Sequence, residues 1–300
     1  MQHALRPTTR KNYERVQAVY EQHCASYLCT PYPVSWQSIS SFVVCLSHDN
    51  LKVSTIRSYS SAVVTRNQFL GYKMSDQLQQ RVDQLFRGLE NQAVEISGPA
   101  KVQPAMNSSV IVMISDFLDR QDFSATSVEI TSQCAAVVFG YLFALRASTL
   151  TAIRLGDVRL RHNVLELNEI KRKSKSAQTV RTVCIPTDLC KPARVLGKYI
   201  QWAQSRNKDT SGSAFGFDMD APPHKLVGDA IQVAAAQSEG MTSHSLRRGA
   251  AVSMFAVGVP IQRMLSWGAW ASEDSVKPYI KDRAWNLATK DDRTCFAWML

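Results

Sequence analysis

The stretch TSHSLRRGAA, Thr242 to Ala251, sets a histidine and two arginines where a helix should begin, then turns apolar within two residues. Thr242 or Ser243 is of the type that caps a helix start. AAVSMFAVGV, Ala250 to Val259, reads as a buried helix that runs out at Gly258. His244 and Arg247 are three positions apart and therefore share one helix face. A guanidinium fork beside an imidazole, carried on a rigid buried element, suits a phosphate group, whose oxygens accept charge-assisted hydrogen bonds. The plainer reading is a solvated basic first turn. Positive charge at a helix N-terminus opposes the macrodipole, so placement there by chance is disfavoured.

The whole chain narrows what such a phosphate would belong to. Its 300 residues allow about two domains, and 45% hydrophobic content is that of an ordinary globular protein. The formal net charge is +10 and the pI about 9.3, which favours a polyanionic partner, nucleic acid or an acidic membrane surface. The longest apolar run, AAVVFGYLFAL (Ala135 to Leu145), is too short to span a bilayer and reads as a core helix. The opening MQHALRPTTRK lacks a signal-peptide apolar region, so neither membrane nor secretion is supported and nucleic acid leads. Seven cysteines without paired spacing read as free thiols of a reducing, intracellular compartment. Six scattered histidines predict no metal site.

The first hundred residues carry four amphipathic patterns. One starts near Thr8 with Tyr13, Val16, Tyr20, Cys24 and Tyr27 on one stripe. A second follows Ser35, a third runs from Ser54 to Gly71, and a fourth from Ser75 to about Asn91. Periodicity then fails in EISGPAKVQPAM, which predicts a linker over residues 95–106 between domains at 1–94 and 107–300. Beyond it helices are predicted at Ser108–Arg120, Thr126–Leu145, Leu189–Arg206, His224–Ser238, His244–Val257 and Pro260–Ser266. Strand-like runs begin at Asp157, Val164 and Thr179, and the last two flank the basic tip KRKSKSAQ as a hairpin. The expected fold class is mainly α, in two domains, with a small three-stranded antiparallel sheet in the second.

Further spacings accompany His244 and Arg247. Trp270 lies 23 positions after Arg247, Tyr279 nine after Trp270, and Arg146 ends a buried helix upstream in YLFALRASTL. Taken singly, Arg146 is an ordinary helix-end charge, Trp270 a core residue and Tyr279 a half-buried ring. Together the set resembles the tyrosine recombinase (phage integrase) family, with a Cre-like His–Arg–Trp–Tyr spacing. The resemblance covers about Asn107 to Tyr279 and extends loosely to STIRSYSSAV in the N-terminal part.

The resemblance implies a catalytic domain that cuts and rejoins DNA strands, and an N-terminal four-helix domain that clamps DNA. Arg146 and Arg247 would hold the non-bridging oxygens of a phosphodiester, replacing a metal. Tyr279 would be the nucleophile, leaving a 3′-phosphotyrosine and a 5′-hydroxyl without cofactor or ATP. His244 is the candidate proton acceptor, Trp270 a hydrogen-bond donor, and a hairpin lysine the proton donor to the leaving oxygen. Lys175 is favoured for that role and Lys173 is second; the plainer readings of the tip are a solvated basic turn or a nuclear-localisation signal. Lys52, Arg57, Arg66, Lys173 and Arg248 are the expected DNA contacts, phosphate before base. The partners implied are double-stranded DNA and further copies of the chain, a homo-tetramer on two sites. The segment from about residue 283 to 300 would dock either on a neighbouring protomer or on its own domain.

Two positions depart from the family pattern. Thr149 stands where an acidic residue is usual, and Pro278 directly precedes the tyrosine, where it should kink or end a helix begun at Ser272. They support an alternative, a captured DNA-binding protein with impaired cleavage. A topoisomerase-like relative would share the chemistry, and a basic RNA-binding protein lacks any RNA module.

Overall fold

The computed structural model describes residues 7–97, 104–123, 127–171, 179–207, 209–218, 220–235, 240–280 and 288–300. The chain divides into two compact units, Met1–Lys101 and Val102–Leu300.

The first unit has four helices: α1 (Pro7–Ser26), α2 (Trp36–His48), α3 (Val53–Phe69) and α4 (Asp76–Ser97). Ser35 caps α2 as its type predicts: its hydroxyl accepts from the Ser38 N–H, and Ser38 answers by accepting from the Ser35 N–H. The spacing Ile39, Phe42, Val43, Leu46 then faces inward, against Tyr20, Cys24, Ile56, Val63 and Phe86. Buried Asn67, near the end of α3, accepts from the Val34 N–H and donates to the Tyr72 carbonyl. Tyr27, expected on the α1 stripe, falls past the last helical residue and is exposed. α4 continues to Ser97, into the stretch expected as a linker, because no proline interrupts it before Pro99.

In the second unit the apolar run expected as a core helix is one. α6 (Val128–Leu142) is central, and every residue from Cys134 to Leu145 is buried. Around it pack α5 (Ser108–Arg120), α8 (Lys191–Arg206), α9 (Pro223–Ala234) and α10 (Ser243–Val257). β1 (Val158–Arg161), β2 (Val164–Lys171) and β3 (Thr179–Pro186) form one antiparallel sheet in the order β1-β2-β3, covered by α8. Its buried face is built from the cross-strand pairs Leu165–Ile185 and Leu167–Val183. The hairpin pairs Lys171 with Thr179, so its tip is residues 172–178; Lys173 and Lys175 lie outside the described residues. α10 lies close on the chain before α5: the Met106 N–H donates to the Ser245 carbonyl, and a Cβ on Gly249 would meet the Met106 oxygen at 2.2 Å. Met106, expected at the end of the linker, is therefore part of this core.

Residues 288–300 dock on their own unit. α13 (Lys290–Phe296) packs on α10 and α5 and buries Cys295, Phe296 and, just beyond it, Met299. Its anchor is polar. Asp292, nearly buried, accepts from the Ser253 hydroxyl and from the Thr289 N–H and hydroxyl at 2.9 and 2.8 Å. Ser253 in turn meets the Tyr141 hydroxyl at 2.6 Å. Burial alone would raise the Asp292 carboxyl. Hydrogen bonds from Ser253, the Thr289 backbone, Ser108 and the Thr289 hydroxyl outweigh it and hold the group below its ordinary value.

A depressed carboxyl stabilises the fold above its unfolded pKa, and that contribution disappears as pH falls through the folded value. Asp292→Asn replaces an acceptor oxygen by a donor facing donors, and should destabilise the second unit by about 1–3 kcal/mol at neutral pH. Urea unfolding of the full chain should show this deficit at pH 7 and its narrowing as pH falls below the ordinary carboxylate range toward the depressed value of the native group.

Candidate functional site

The N-terminal turn of α10 presents two of the expected residues in opposite ways. Thr242 caps it, accepting from the His244 N–H at 3.3 Å, while Ser245 accepts from the Thr242 N–H at 3.0 Å. His244 projects to the surface, and Arg247, one turn on, is 3% exposed. A buried guanidinium must be met by acceptors or a ring face to offset its lost hydration. Its Nη1 donates to the Ala144 carbonyl, and its Cζ lies 4.1 Å from the centre of the Trp270 ring.

Ala144 is where α6 stops. Its φ is +49°, the left-handed region, and the Leu145 and Ala144 N–H groups turn back to the Gly140 and Tyr141 carbonyls. An alanine there costs about 1–2 kcal/mol relative to a right-handed conformation. The turn has two products. It aims the Ala144 carbonyl at Arg247, and it releases Arg146 into an extended, exposed position at the head of the short helix α7 (Ala147–Leu150). The Arg146 charge reaches the site: it is among those acting on His244.

Trp270 enters from the end of α11 (Ile261–Gly268), where Ala269, φ +50°, makes the same kind of left-handed stop. The indole is nearly buried and its Nε1–H has no hydrogen-bond partner among the described residues. An unmatched buried donor costs about 1–3 kcal/mol, which an acceptor oxygen at that point would recover.

The tyrosine arrives by a route the sequence reading misjudged. Residues Glu273–Ser275 form a single 3₁₀ turn, and a new helix, α12 (Lys277–Ile280), opens after it. Pro278 therefore lies in a first helical turn, where a missing N–H is harmless, and does not kink a helix begun at Ser272. Tyr279, partly buried, places its hydroxyl 2.7 Å from His244 Nε2, with the rings edge to face at 5.3 Å. The Trp270 ring is 6.4 Å away.

Electrostatics decide what the His244–Tyr279 contact can do. Burial, then Arg247, Arg248 and Arg146, push the imidazole below its ordinary value of 6.5. At neutral pH the ring is uncharged and Nε2 can accept from the phenol. The arrangement can thus take a proton from Tyr279 onto an imidazole that stands in the field of Arg247, Arg248 and Arg146.

The structure brings His244, Arg247, Trp270 and Tyr279 together, with Arg146 near enough to be felt. The expected contacts of the first unit are placed on or beside α3. Lys52 is exposed at the head of α3. Arg57 is paired with Glu90 at 2.7 Å and stacked 4.5 Å over Phe86. Arg66, nine residues from Arg57, falls on the opposite side of α3. Arg248 is partly buried on α10. The Thr149 N–H donates to the Arg146 carbonyl. Sequence reasoning missed Ala144, whose backbone role leaves no sequence signal, and Trp267, whose place in SWGAW was the available clue. Trp267 donates from Nε1 to the Leu142 carbonyl at 2.8 Å and so ties α11 to the end of α6.

No protein-family model matches the chain, and no curated protein matches its sequence. Its fold does resemble those of solved structures. The chain is similar to the Tn1549 transposon integrase in complex with transposon right end DNA: TM-score 0.61, 11% identity, 96% of this chain and 92% of that one. It is similar to a lambda integrase dimer bound to a COC′ core site: TM-score 0.55, 13% identity, 95% and 93% of the two chains. A third likeness is to XerH site-specific recombinase bound to palindromic difH substrate: TM-score 0.53, 14% identity, 83% and 69%. At such identities the likeness is one of fold, and the fold is that of the tyrosine recombinases.

An NMR titration of the full chain should find the His244 pKa below 6.5. Arg248→Ala, which removes one of the opposing cations, should raise it. A titration at or above the ordinary histidine value would contradict the cationic, desolvated site.

Proposed function

We propose that the chain is a tyrosine-type DNA strand transferase, a site-specific recombinase or integrase of a mobile element. The observation that carries this is the 2.7 Å contact between Tyr279 Oη and His244 Nε2 beside a buried arginine. The fold shared with DNA-bound integrases supports it.

In this reading Arg146 and Arg247 hold the two non-bridging oxygens of a scissile phosphodiester and meet the charge that grows there in the pentacoordinate transition state. The Trp270 N–H donates to the same group. Tyr279 passes its proton to His244 and attacks phosphorus; the bond to the 5′-oxygen breaks, leaving a 3′-phosphotyrosyl ester. Lys175, or Lys173, protonates the departing 5′-oxygen. The ester conserves the energy of the diester, and a 5′-hydroxyl from a second strand reverses the step, so neither ATP nor a metal enters this scheme. Lys52, Arg57, Arg66, Lys173 and Arg248 are proposed to contact DNA, and Arg57 would exchange Glu90 for a phosphate to do so. Assembly as a homo-tetramer on two sites, and the Cre-like affinity, rest on the resemblance in sequence alone.

The second reading, a captured DNA-binding protein with impaired cleavage, retains Thr149 as its support. Pro278, sitting harmlessly in a first turn, no longer favours it.

One experiment separates the two. The protein is mixed with a random duplex pool carrying nicks that trap covalent intermediates, and DNA that survives SDS is sequenced. The expected result is attachment that converges on one sequence and disappears in Tyr279→Phe. Arg247→Lys, checked for an intact thermal transition, should slow attachment by roughly 100- to 1,000-fold. Enrichment of a sequence by binding with nothing surviving SDS would install the second reading.

A further inference from the structure

We infer that Gly268 is a positioning residue, the floor on which Trp270 is held against Arg247. A Cβ built on Gly268 would stand 1.9, 2.2 and 2.4 Å from Cζ3, Cε3 and Cη2 of the Trp270 ring. Cζ3 is bonded to the other two atoms, and near-equal distances to all three mean approach over the ring face; approach at the edge would leave the neighbours much farther away. The Arg247 guanidinium lies over the ring as well, 4.1 Å from its centre. The Gly268 Cα, one C–C bond from that built Cβ, lies against the same ring face, and a guanidinium stacked over the ring centre fits best on the other. The indole is therefore sandwiched, Gly268 on one side and Arg247 on the other.

The floor cannot retreat. Trp267, the preceding residue, is fixed by its hydrogen bond to the Leu142 carbonyl and by stacking on Phe143 at 6.0 Å and 9°. Ala269, the following one, is locked in the left-handed stop, with the Trp270 N–H bonded to the Leu265 carbonyl. Any side chain at position 268 must then move the indole by about 1.5 Å to restore ordinary carbon contact, and the direction open to it is toward Arg247. Gly268 is required for this closeness of approach; its own backbone conformation is one that any residue adopts. The three clashing atoms all belong to the six-membered ring of tryptophan. An imidazole at position 270 has none of them, so the requirement for glycine belongs to this chain's choice of tryptophan.

The activity consequence rests on the strand-transfer reading; the structural one does not, and the test keeps them apart. In the full chain, Gly268→Ala should shift the Trp270 indole N–H and the Arg247 Nε–H resonances and, on the trapping substrate, reduce covalent attachment at least tenfold. In a Trp270→His background the same glycine substitution should change whatever attachment remains by less than twofold and leave the Arg247 resonance in place. Unmoved resonances in Gly268→Ala, or an equal loss in both backgrounds, would overturn the inference. If Gly268→Ala alone does not fold, recovery of a cooperative thermal transition in the double variant supports it and failure to recover refutes it. Absence of attachment in the parent protein would count against strand transfer and leave the resonance comparison to decide the role of Gly268.

Discussion

A guanidinium that is 3% exposed is an unusual possession for a protein core, and the second unit is arranged around keeping one. Removing such a charge from water costs several kcal/mol unless acceptors and polarisable surfaces meet it. Here they come from three elements distant in sequence: α10 carries Arg247, the end of α6 supplies the Ala144 carbonyl, and the end of α11 supplies the Trp270 ring. Each supporting element must therefore stop at a defined residue. That is why two alanines, Ala144 and Ala269, accept left-handed backbone where glycine would be easier. Trp267, bonding across to Leu142, holds the two stops to each other.

The same arrangement explains a division of labour between neighbours on one turn. Arg247 is buried, whereas His244 reaches the surface, its imidazole held below its ordinary value by partial burial and by the cations around it. A neutral imidazole next to arginines is a better acceptor for a phenol proton than a protonated one beside carboxylates. Thr149 in place of an acid is consistent with that balance, since a carboxylate near Arg146 would offset part of the positive field that lowers His244.

Much of this was legible in the residues, and the limits have physical causes. Elements with strong periodicity or a cap, such as α2 after Ser35, α6 and α10 up to Gly258, were readable because burial and capping are encoded locally. The hairpin was readable from its alternation. The His–Arg–Trp–Tyr set was readable as spacing because all four residues follow one another within a short stretch of chain. What escaped depended on tertiary context. Pro278 was misjudged because a 3₁₀ turn intervenes, and nothing in SEDSVKP distinguishes one helix from two short elements. The α4 boundary slipped because a loss of apolar periodicity does not end a helix where no proline follows until Pro99. Arg57, expected as a DNA contact, has its partner Glu90 on another helix, which leaves no local signal in the sequence. The work done by Ala144 and Gly268 lies in a carbonyl direction and a missing Cβ, and neither is a property of residue type alone.

The stop at Ala144 also has a consequence for what the fold supplies in advance. By freeing Arg146 and anchoring Arg247, it leaves fixed cations acting on His244, whose imidazole is lowered first by burial and then by Arg247, Arg248 and Arg146. Those charges are held in place by the packing of α6, α10 and α11. An anion arriving among these groups would meet them already positioned. Part of the affinity for such a ligand is thus prepaid by the domain's own folding, independent of any contact to the rest of the ligand.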